Sequence, residues 1–186
     1  MHDPRRVGVL ISGRGSNMRA LVEQAADYEV VLVASNKPDA AGLSWARERG
    51  IRTWAKDSKN VDREQFDREL TEVLDGHEVG TIALAGFMRI LSSWFVERWA
   101  GHIVNIHPSL LPKYRGLDTH ARAIAAGDSV AGCSVHVVTE ELDAGEVLGR
   151  TEVPVRPGDT SETLRERVLA AEHALYPRIL AEFVNR

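Results

Sequence analysis

Short apolar segments alternate with amphipathic segments of about ten residues through the first two thirds of the chain. Residues 7–11 are an apolar run that ends at glycines, and Met18, Leu21 and Ala25 follow at the spacing of one helix face. Strands that alternate with helices of this length join through right-handed crossovers. We therefore predict an α/β fold with a mainly parallel sheet flanked by helices. Strands are predicted at 30–34, 51–54, 81–85 and 103–107, and helices at 42–49, 63–74, 92–98 and 119–126.

The last third of the chain has a different pattern. Residues 134–138 and 147–155 are rich in β-forming side chains, and the stretch between them is too short for a helix. These two strands are therefore predicted to pair antiparallel. A final helix is predicted to begin at Asp159 or Thr160, because Glu162 follows Asp159 at capping-box spacing. Pro177 is predicted to kink or end that helix.

Length and charge narrow the classes of function. The 186 residues predict a single domain over 1–186. A net charge of −4, from 23 basic and 27 acidic residues, argues against a nucleic-acid partner and favours a small molecule. No apolar run reaches the ~18 residues of a membrane span, and no signal-peptide core is present, so we expect a cytoplasmic protein. The single Cys133 and the lack of a close ligand motif predict no metal site.

A glycine-rich turn follows the first predicted strand. Residues 12–17 read Ser-Gly-Arg-Gly-Ser-Asn and lead into the first helix. Glycines allow close approach of a ligand, and free amides at a helix N-terminus attract anions. The turn lacks the lysine of a Walker motif and the third glycine of a dinucleotide fingerprint, so a phosphomonoester fits better than ATP or NAD. The alternative is that Ser16 or Asn17 merely caps the helix.

Asn105 and His107 stand at the end of a predicted strand. Side chains alternate along a strand, so both project to one face, and Pro108 keeps His107 extended. Acyl transfer needs a donor for the oxygen that gains negative charge and a group that moves protons, which these two residue types supply. The alternative is a hydrogen-bonded turn residue beside a structural histidine.

Three further residues have two possible roles each. Asp143 lies in an acidic stretch, 139–146, that is either a solvated turn or the source of a carboxylate for His107. His136 is either structural or part of a pocket. Glu172 falls at the margin of the buried stripe of the final helix, where most glutamates face solvent.

Four segments together resemble a known enzyme family. They are LISGRGSN at 10–17, AGFMRIL at 85–91, NIHPSLLP at 105–112 and ELDAG at 141–145. In this order and spacing they closely resemble the glycinamide ribonucleotide transformylases, over about residues 7–183. The resemblance implies a Rossmann-like formyltransferase fold. It also implies formyl transfer from 10-formyltetrahydrofolate to the amine of 5′-phosphoribosylglycinamide in purine biosynthesis, with no metal.

The resemblance also implies roles for individual residues. Asn105 would bind the formyl oxygen, His107 would stabilise the oxyanion and assist proton transfer, and Asp143 would raise the pKa of His107. The nucleotide would lie in the N-terminal half and the folate in the C-terminal half. The implied nucleotide contacts are Gly15, Ser16, Asn17 and Glu172, and the implied folate contacts are Arg63, Met88, Arg89, Ile90, Leu91, Asn105, Thr139, Glu140, Glu141, Leu142 and Asp143.

Two positions depart from the family pattern, and other functions stay open. Arg115 and Asp118 stand where relatives carry proline and histidine, which affects the loop that contains them. A different acceptor, such as methionyl-tRNA, an amino sugar or water in a deformylase, would use the same chemistry, although the tRNA enzyme and the deformylase carry an additional domain. A catalytically silent binding module is a further alternative. The protein is expected to be a monomer or a homodimer.

Overall fold

A single seven-stranded sheet forms the centre of the molecule. The computed structural model describes residues 2–186. The strands are β1 (Arg6–Ile11), β2 (Glu29–Ser35), β3 (Arg52–Ala55), β4 (Thr81–Leu84), β5 (Ile103–His107), β6 (Val130–Val137) and β7 (Val147–Pro154). Their order across the sheet is β3-β2-β1-β4-β5-β6-β7. Strands β1 to β5 are parallel, whereas β6 runs antiparallel to both β5 and β7.

Helices cover both faces of this sheet. They are α1 (Ser16–Glu23), α2 (Ala41–Glu48), α3 (Arg63–Gly76), α4 (Ser93–Arg98), α5 (Thr119–Ala125) and α6 (Ser161–Val184). Buried side chains of α1, α2, α5 and α6 form one core, and those of α3 and α4 form the other. Within residues 2–186, no helix is both long enough and apolar enough to cross a bilayer.

The alternation of side chains along β1 explains the two cores. Val9 and Ile11 are fully buried on the α1 and α6 side, whereas Leu10 is fully buried against Phe66 and its neighbours on the α3 side. Burying an aliphatic side chain contributes about 1.5–3 kcal/mol. A central strand with apolar residues on both faces is therefore strongly stabilised between two helical layers. The predicted α/β fold, with its antiparallel late strand pair, is confirmed.

The strand order changes direction between β1 and β4. Crossovers from β1 lead outward to β2 and β3, whereas β4 and β5 lie on the other side of β1. Such a switch leaves a crevice beyond the carboxyl ends of the strands, where ligands bind in open α/β sheets. Ser12 bridges this edge, because its hydroxyl donates to Asn36 Oδ1 (2.5 Å) and accepts from the backbone N–H of Met88 (2.7 Å). The bridge ties together the ends of β1, β2 and β4.

The predicted start of the final helix is confirmed with Thr160 as the N-cap, but the predicted capping box needs a correction, and a helix end at Pro177 is wrong. The capping box uses Thr160 and Thr163, whereas Asp159 is occupied by an ion pair with Arg167. Helix α6 continues through Pro177 to Val184 without ending there. Proline leaves the carbonyl of residue i−4 without its helical donor. That carbonyl, on His173, accepts a hydrogen bond from Gln24 Nε2 at 3.1 Å, which compensates for the missing N–H.

Candidate active site

Strand β5 presents Asn105 and His107 to the crevice. The two side chains share one face of the strand, as alternation predicts, and Ile106 between them packs into the core on the other face. The antiparallel neighbour β6 places His136 opposite Asn105 and Ser134 opposite His107. Ser134 donates to the carbonyl of Ser109 at 2.7 Å and so fixes the chain just after β5. The positions of both candidate residues therefore depend on strand pairing.

The carboxylate of Asp143 meets His107 from the loop between β6 and β7. Its Oδ2 lies 3.3 Å from His107 Nδ1, and the two side chains are only 8% and 7% exposed. The same oxygen accepts a hydrogen bond from the backbone N–H of Gly116 at 2.9 Å. The other ring nitrogen of His107, Nε2, donates to the carbonyl of Tyr114 at 2.9 Å. The structure thus brings Asn105, His107 and Asp143 together, and both nitrogens of the imidazole face acceptors.

Burial and the Asp143 carboxylate shift the pKa of His107 in opposite directions. Burial lowers the pKa of His107, although the Tyr114 carbonyl and the Asp143 charge act to raise it. Asp143 thus acts on His107 in the expected direction, but desolvation outweighs the carboxylate, so the net pKa of His107 lies below its ordinary value. Burial also opposes ionisation of Asp143, but the Gly116 N–H and neighbouring His107 lower the pKa of this carboxyl.

His136 belongs to the same cluster, and the sequence alone left its role open. Its side chain is 2% exposed, with Nε2 at 3.2 Å from Asn105 Nδ2 and at 3.6 Å from Asp143 Oδ1. Strand alternation could have indicated this position only with the register of β5 against β6. That register was hidden because β6 begins at Val130, four residues before the predicted strand. Gly132 is untypical of a strand interior, but the fold requires glycine there. A Cβ at this position would lie 2.1 Å from the Thr151 carbonyl oxygen.

The glycine-rich turn leaves the N-terminus of α1 open. Gly15 is the N-cap residue, with φ 70° and ψ 38°, and within residues 2–186 no side chain caps this helix. The alternative in which Ser16 or Asn17 caps the helix is therefore wrong. The first N–H groups of an uncapped helix carry the positive end of the helix dipole and can bind an anion. The turn retains the features expected of a phosphate site.

Asn17 and Glu172 join this turn to the last helix. Asn17 Nδ2 donates to Glu172 Oε2 at 2.7 Å, and both side chains are buried. Burial raises the pKa of Glu172, although the Asn17 amide and the charge of Arg165 act to lower it. Glu172 therefore does not face solvent. A buried carboxylate with one hydrogen-bond donor retains acceptor positions for a ligand beside the α1 turn.

Comparison with known proteins decides the family. The family described as formyl transferase matches residues 5–180. The phosphoribosylglycinamide formyltransferase of Escherichia coli (strain K12) is 46% identical over 182 residues, which cover 95% of this chain and 86% of that protein. The chain belongs to the formyl transferase family. The crystal structure of phosphoribosylglycinamide formyltransferase from Brucella melitensis superimposes on this formyl transferase with a TM-score of 0.91, at 46% identity, over 97% of this chain and 96% of the other.

Much larger relatives contain a similar segment. The trifunctional purine biosynthetic protein adenosine-3 of Drosophila melanogaster is 46% identical over 188 residues. The match covers 97% of this formyl transferase but only 14% of that protein. The corresponding share for the protein of the same name from Bos taurus is 18%. This chain therefore spans less than a fifth of the length of these trifunctional relatives.

The predicted folate contacts differ in exposure and in bonding. Met88, Ile90 and Leu142 are 72%, 65% and 62% exposed. Arg89 turns away from solvent, because its guanidinium donates to the carbonyls of Ser58 (3.1 Å) and Val61 (3.2 Å). The remaining predicted contacts are half-buried Leu91 beside the α3 core, exposed Arg63 at the start of α3, and exposed Thr139, Glu140 and Glu141 before Asp143.

Arg115 and Asp118 lie in the loop after β5, whose Tyr114 and Gly116 contact the catalytic pair. Arg115 Nη1 is 2.5 Å from Glu141 Oε1, so an ion pair joins the loop after β5 to the loop after β6. Asp118 is the N-cap of α5, with φ 57°, and its side chain makes no capping hydrogen bond within residues 2–186. Arg122 Nη1 donates to the carbonyls of Arg115 (2.7 Å) and Leu117 (3.1 Å). The chain thus has its own contacts for holding this loop.

Metal-binding side chains do not gather in the described part of the chain. Within residues 2–186, no group of three or more histidine, cysteine or carboxylate side chains is arranged to hold a metal ion. Cys133 is buried in β6, and burial raises the pKa of its thiol to about 12.

Proposed function

We propose that this formyl transferase moves a formyl group from 10-formyltetrahydrofolate to the amine of 5′-phosphoribosylglycinamide, giving formylglycinamide ribonucleotide in purine biosynthesis. The observation that carries the proposal is the contact of His107 with Asp143, 3.3 Å, beside Asn105 at the crevice. The 46% identity to the Escherichia coli phosphoribosylglycinamide formyltransferase, over 86% of its length, supports the same reaction.

The acceptor is placed by the α1 turn. Gly15, Ser16 and the backbone of Asn17 bind its phosphate at the uncapped helix N-terminus. Glu172 accepts hydrogen bonds from the acceptor, because its buried carboxylate is oriented by the Asn17 amide at 2.7 Å. These two contacts fix the phosphate and the body of the nucleotide, so its amine reaches the carboxyl end of β5.

The donor is placed by the loop after β4 and the loop after β6. Exposed Met88, Ile90 and Leu142 offer apolar surface that suits a fused ring system, and large exposed apolar groups commonly mark ligand sites. Backbone groups of residues 89–91 and 139–141 supply hydrogen bonds, and Arg63 supplies a positive charge for the acidic tail of a folate. Bound there, the folate supplies the formyl carbon that the acceptor amine attacks.

The chain's own residues stabilise charge and move protons. Asn105 donates a neutral N–H to the formyl oxygen as that oxygen gains negative charge, which is worth about 3–4 kcal/mol for a comparable single donor. His107 Nε2–H, which the Tyr114 carbonyl accepts in the unliganded site, turns to the same oxygen when the substrates bind. Asp143 lies beside the opposite ring nitrogen and favours the imidazolium form. As the bond between the formyl carbon and the folate nitrogen breaks, His107 gives its proton to that leaving nitrogen and regains one from the acceptor amine, so the proton count is unchanged.

Further features of the proposal concern organisation and location. We propose one domain over residues 1–186, with the nucleotide at the N-terminal half of the sheet and the folate at the C-terminal half. The working form is a monomer or a homodimer in the cytoplasm, with small-molecule substrates and no nucleic-acid or membrane partner. The net charge of −4 supports the absence of a nucleic-acid partner.

The test is a turnover assay with defined acceptors. Purified protein is mixed with 10-formyltetrahydrofolate and glycinamide ribonucleotide, and formation of tetrahydrofolate and formylated nucleotide is followed. The expected result is stoichiometric transfer, with a KM that rises at least tenfold for the acceptor without its phosphate. Equal turnover with water alone would indicate a deformylase. Unchanged KM for the dephosphorylated acceptor would reject the phosphate site at residues 15–17.

A further inference from the structure

His136 is the fourth side chain of the catalytic cluster, and the reaction described above gives it no role. It lies on β6 directly opposite Asn105 on β5, so strand pairing sets the distance between the two side chains. Its side chain is 2% exposed, and each ring nitrogen has a polar protein atom within hydrogen-bond distance. The contacts of its two ring nitrogens are therefore made within the protein.

The backbone fixes the tautomer of the His136 ring. Nδ1 lies 2.9 Å from the carbonyl oxygen of Val137. A carbonyl oxygen can only accept, so Nδ1 carries the hydrogen and donates. In the neutral ring, Nε2 is then a bare acceptor. This acceptor faces Asn105 Nδ2 at 3.2 Å, a normal hydrogen-bond distance.

A bare ring nitrogen selects one orientation of the Asn105 carboxamide. The amide NH₂ can donate to Nε2, whereas the amide oxygen would place two acceptors against each other. One N–H of Asn105 is therefore used by His136, and the second remains available at the crevice. If the amide rotated by half a turn, Asn105 would present an oxygen to the formyl oxygen and would oppose the developing charge.

We propose that His136 is a positioning residue, which holds the Asn105 carboxamide with its nitrogen directed at the reacting formyl oxygen. This inference rests on the proposed formyl transfer. The Asp143 carboxylate does not compete with Asn105 for this nitrogen, because its Oδ1 lies 3.6 Å from His136 Nε2, beyond hydrogen-bond distance.

Kinetics of matched variants test the orientation. His136→Phe keeps a ring but removes the acceptor, and His136→Gln can place its amide oxygen near the position of Nε2. We expect His136→Phe to lower kcat by about 10- to 100-fold, within the range known for loss of one oxyanion donor, with less than a threefold change in acceptor KM. His136→Gln should recover most of that loss. A His136→Phe enzyme within threefold of the wild-type kcat would overturn the proposal.

A double-mutant cycle separates orientation from general packing. In an Asn105→Ala enzyme no carboxamide is present to orient, so adding His136→Phe should reduce the residual rate by less than twofold. A merely structural role predicts the same fold-loss in both backgrounds, and that result would reject the proposal.

The wild-type protein provides a second measurement that needs no variant. Nitrogen-15 NMR of histidine-labelled protein near pH 7.5 should show His136 protonated at Nδ1 and bare at Nε2. Protonation at Nε2 would reject the orientation, even if the Phe variant fails to fold. Failure of the proposed function gives a different result from failure of this inference. In that case the wild-type protein transfers no formyl group, although NMR still shows His136 protonated at Nδ1.

Discussion

His107 Nδ1 and Asp143 Oδ2 lie 3.3 Å apart, although one residue ends a core strand and the other belongs to a loop between two later strands. Both side chains are almost completely shielded from water. A charge interaction in such surroundings is much less screened than one at the surface. The electrostatics of the site therefore depend on how closely this loop stays against β5.

Replacing Asp143 by asparagine should remove the charge and keep the shape. We expect Asp143→Asn to lower kcat by about 100-fold or more, because His107 loses the partner that favours its imidazolium form. Acceptor KM should change less than threefold. Steady-state kinetics measure both quantities, with Glu146→Gln at the exposed end of the same loop as control. Near-normal kcat for Asp143→Asn would show that this carboxylate has no catalytic role.

Two glycines of the α1 turn offer a matched pair of variants. Gly15 has φ 70°, and a Cβ there would lie 2.8 Å from Met18 Cε and 3.4 Å from Gly42 Cα, whereas a Cβ on Gly13 meets nothing within 4 Å. Gly15→Ala should cost about 1–2 kcal/mol of unfolding free energy from backbone strain. It should also raise acceptor KM. For Gly15→Ala, denaturant melts should show the loss of stability and kinetics should show the raised acceptor KM. Gly13→Ala should lose no stability. Equal stability of the two variants would contradict this account of the turn.

The buried carboxylate of Glu172 should bind the acceptor but reduce the stability of the folded protein. Burial raises its pKa, so the charged form is disfavoured in the folded protein. Glu172→Gln keeps an acceptor for Asn17 and removes that cost. We therefore expect an unchanged or higher Tm by calorimetry, together with at least a tenfold rise in acceptor KM. An unchanged KM would exclude Glu172 from acceptor binding.

The ion pair between Arg115 and Glu141 should slightly stabilise the contact between the loop after β5 and the loop after β6. Both side chains are largely exposed, and exposed pairs contribute about 0.2–1 kcal/mol. Arg115→Ala should therefore raise donor KM by no more than about fivefold, and the difference from wild type should disappear in about 0.5 M salt. Lys113→Ala, which removes a separate ion pair with Asp128, is the control. A salt-independent effect would show that Arg115 acts through another contact.

Stability should fall on the acid side of neutrality. Burial lowers the pKa of His173 below its ordinary value of 6.5, and burial is also the main cause of the lowered pKa values of His107 and His120. The unfolded chain then binds protons at a higher pH than the folded chain, so acid favours unfolding. We expect Tm to decrease as the pH falls from about 7.5 to 5.5. His173→Gln should show a smaller decrease, and an identical pH dependence would contradict the effect of this buried ring.

Most of the fold could be predicted because its information is local. Apolar runs and helix-spaced stripes identified the strands and helices, since each element buries its own side chains between two layers. The errors came from contacts distant in the chain. Pro177 stays within a helix because Gln24 satisfies the carbonyl of His173, and no local pattern shows that. Gly132 lies inside β6 because the backbone of Thr151 approaches it closely.

Without the family resemblance, which named Asp143, the site was predictable only where strand geometry determines it. Alternation alone put Asn105 and His107 on one face, whereas the approach of Asp143 depends on a loop conformation that includes its own φ of 50°. That conformation is held by the Gly116 N–H and by neighbours on other elements. His136 required the pairing register as well. The net pKa of His107 required its burial, which a sequence does not give.

The pairing of β5 with β6 determines where the chain can tolerate an inserted or deleted residue. Asn105 faces His136 and His107 faces Ser134 through a ladder whose side chains invert with every single-residue step. One codon added between residues 134 and 136 would turn one of the two β6 partners to the wrong face of the sheet and disrupt the site. One codon added beside Gly127, in the turn before β6, would leave the register of β6 against β5 unchanged. We expect length variation among descendants of this chain to be confined to such turns.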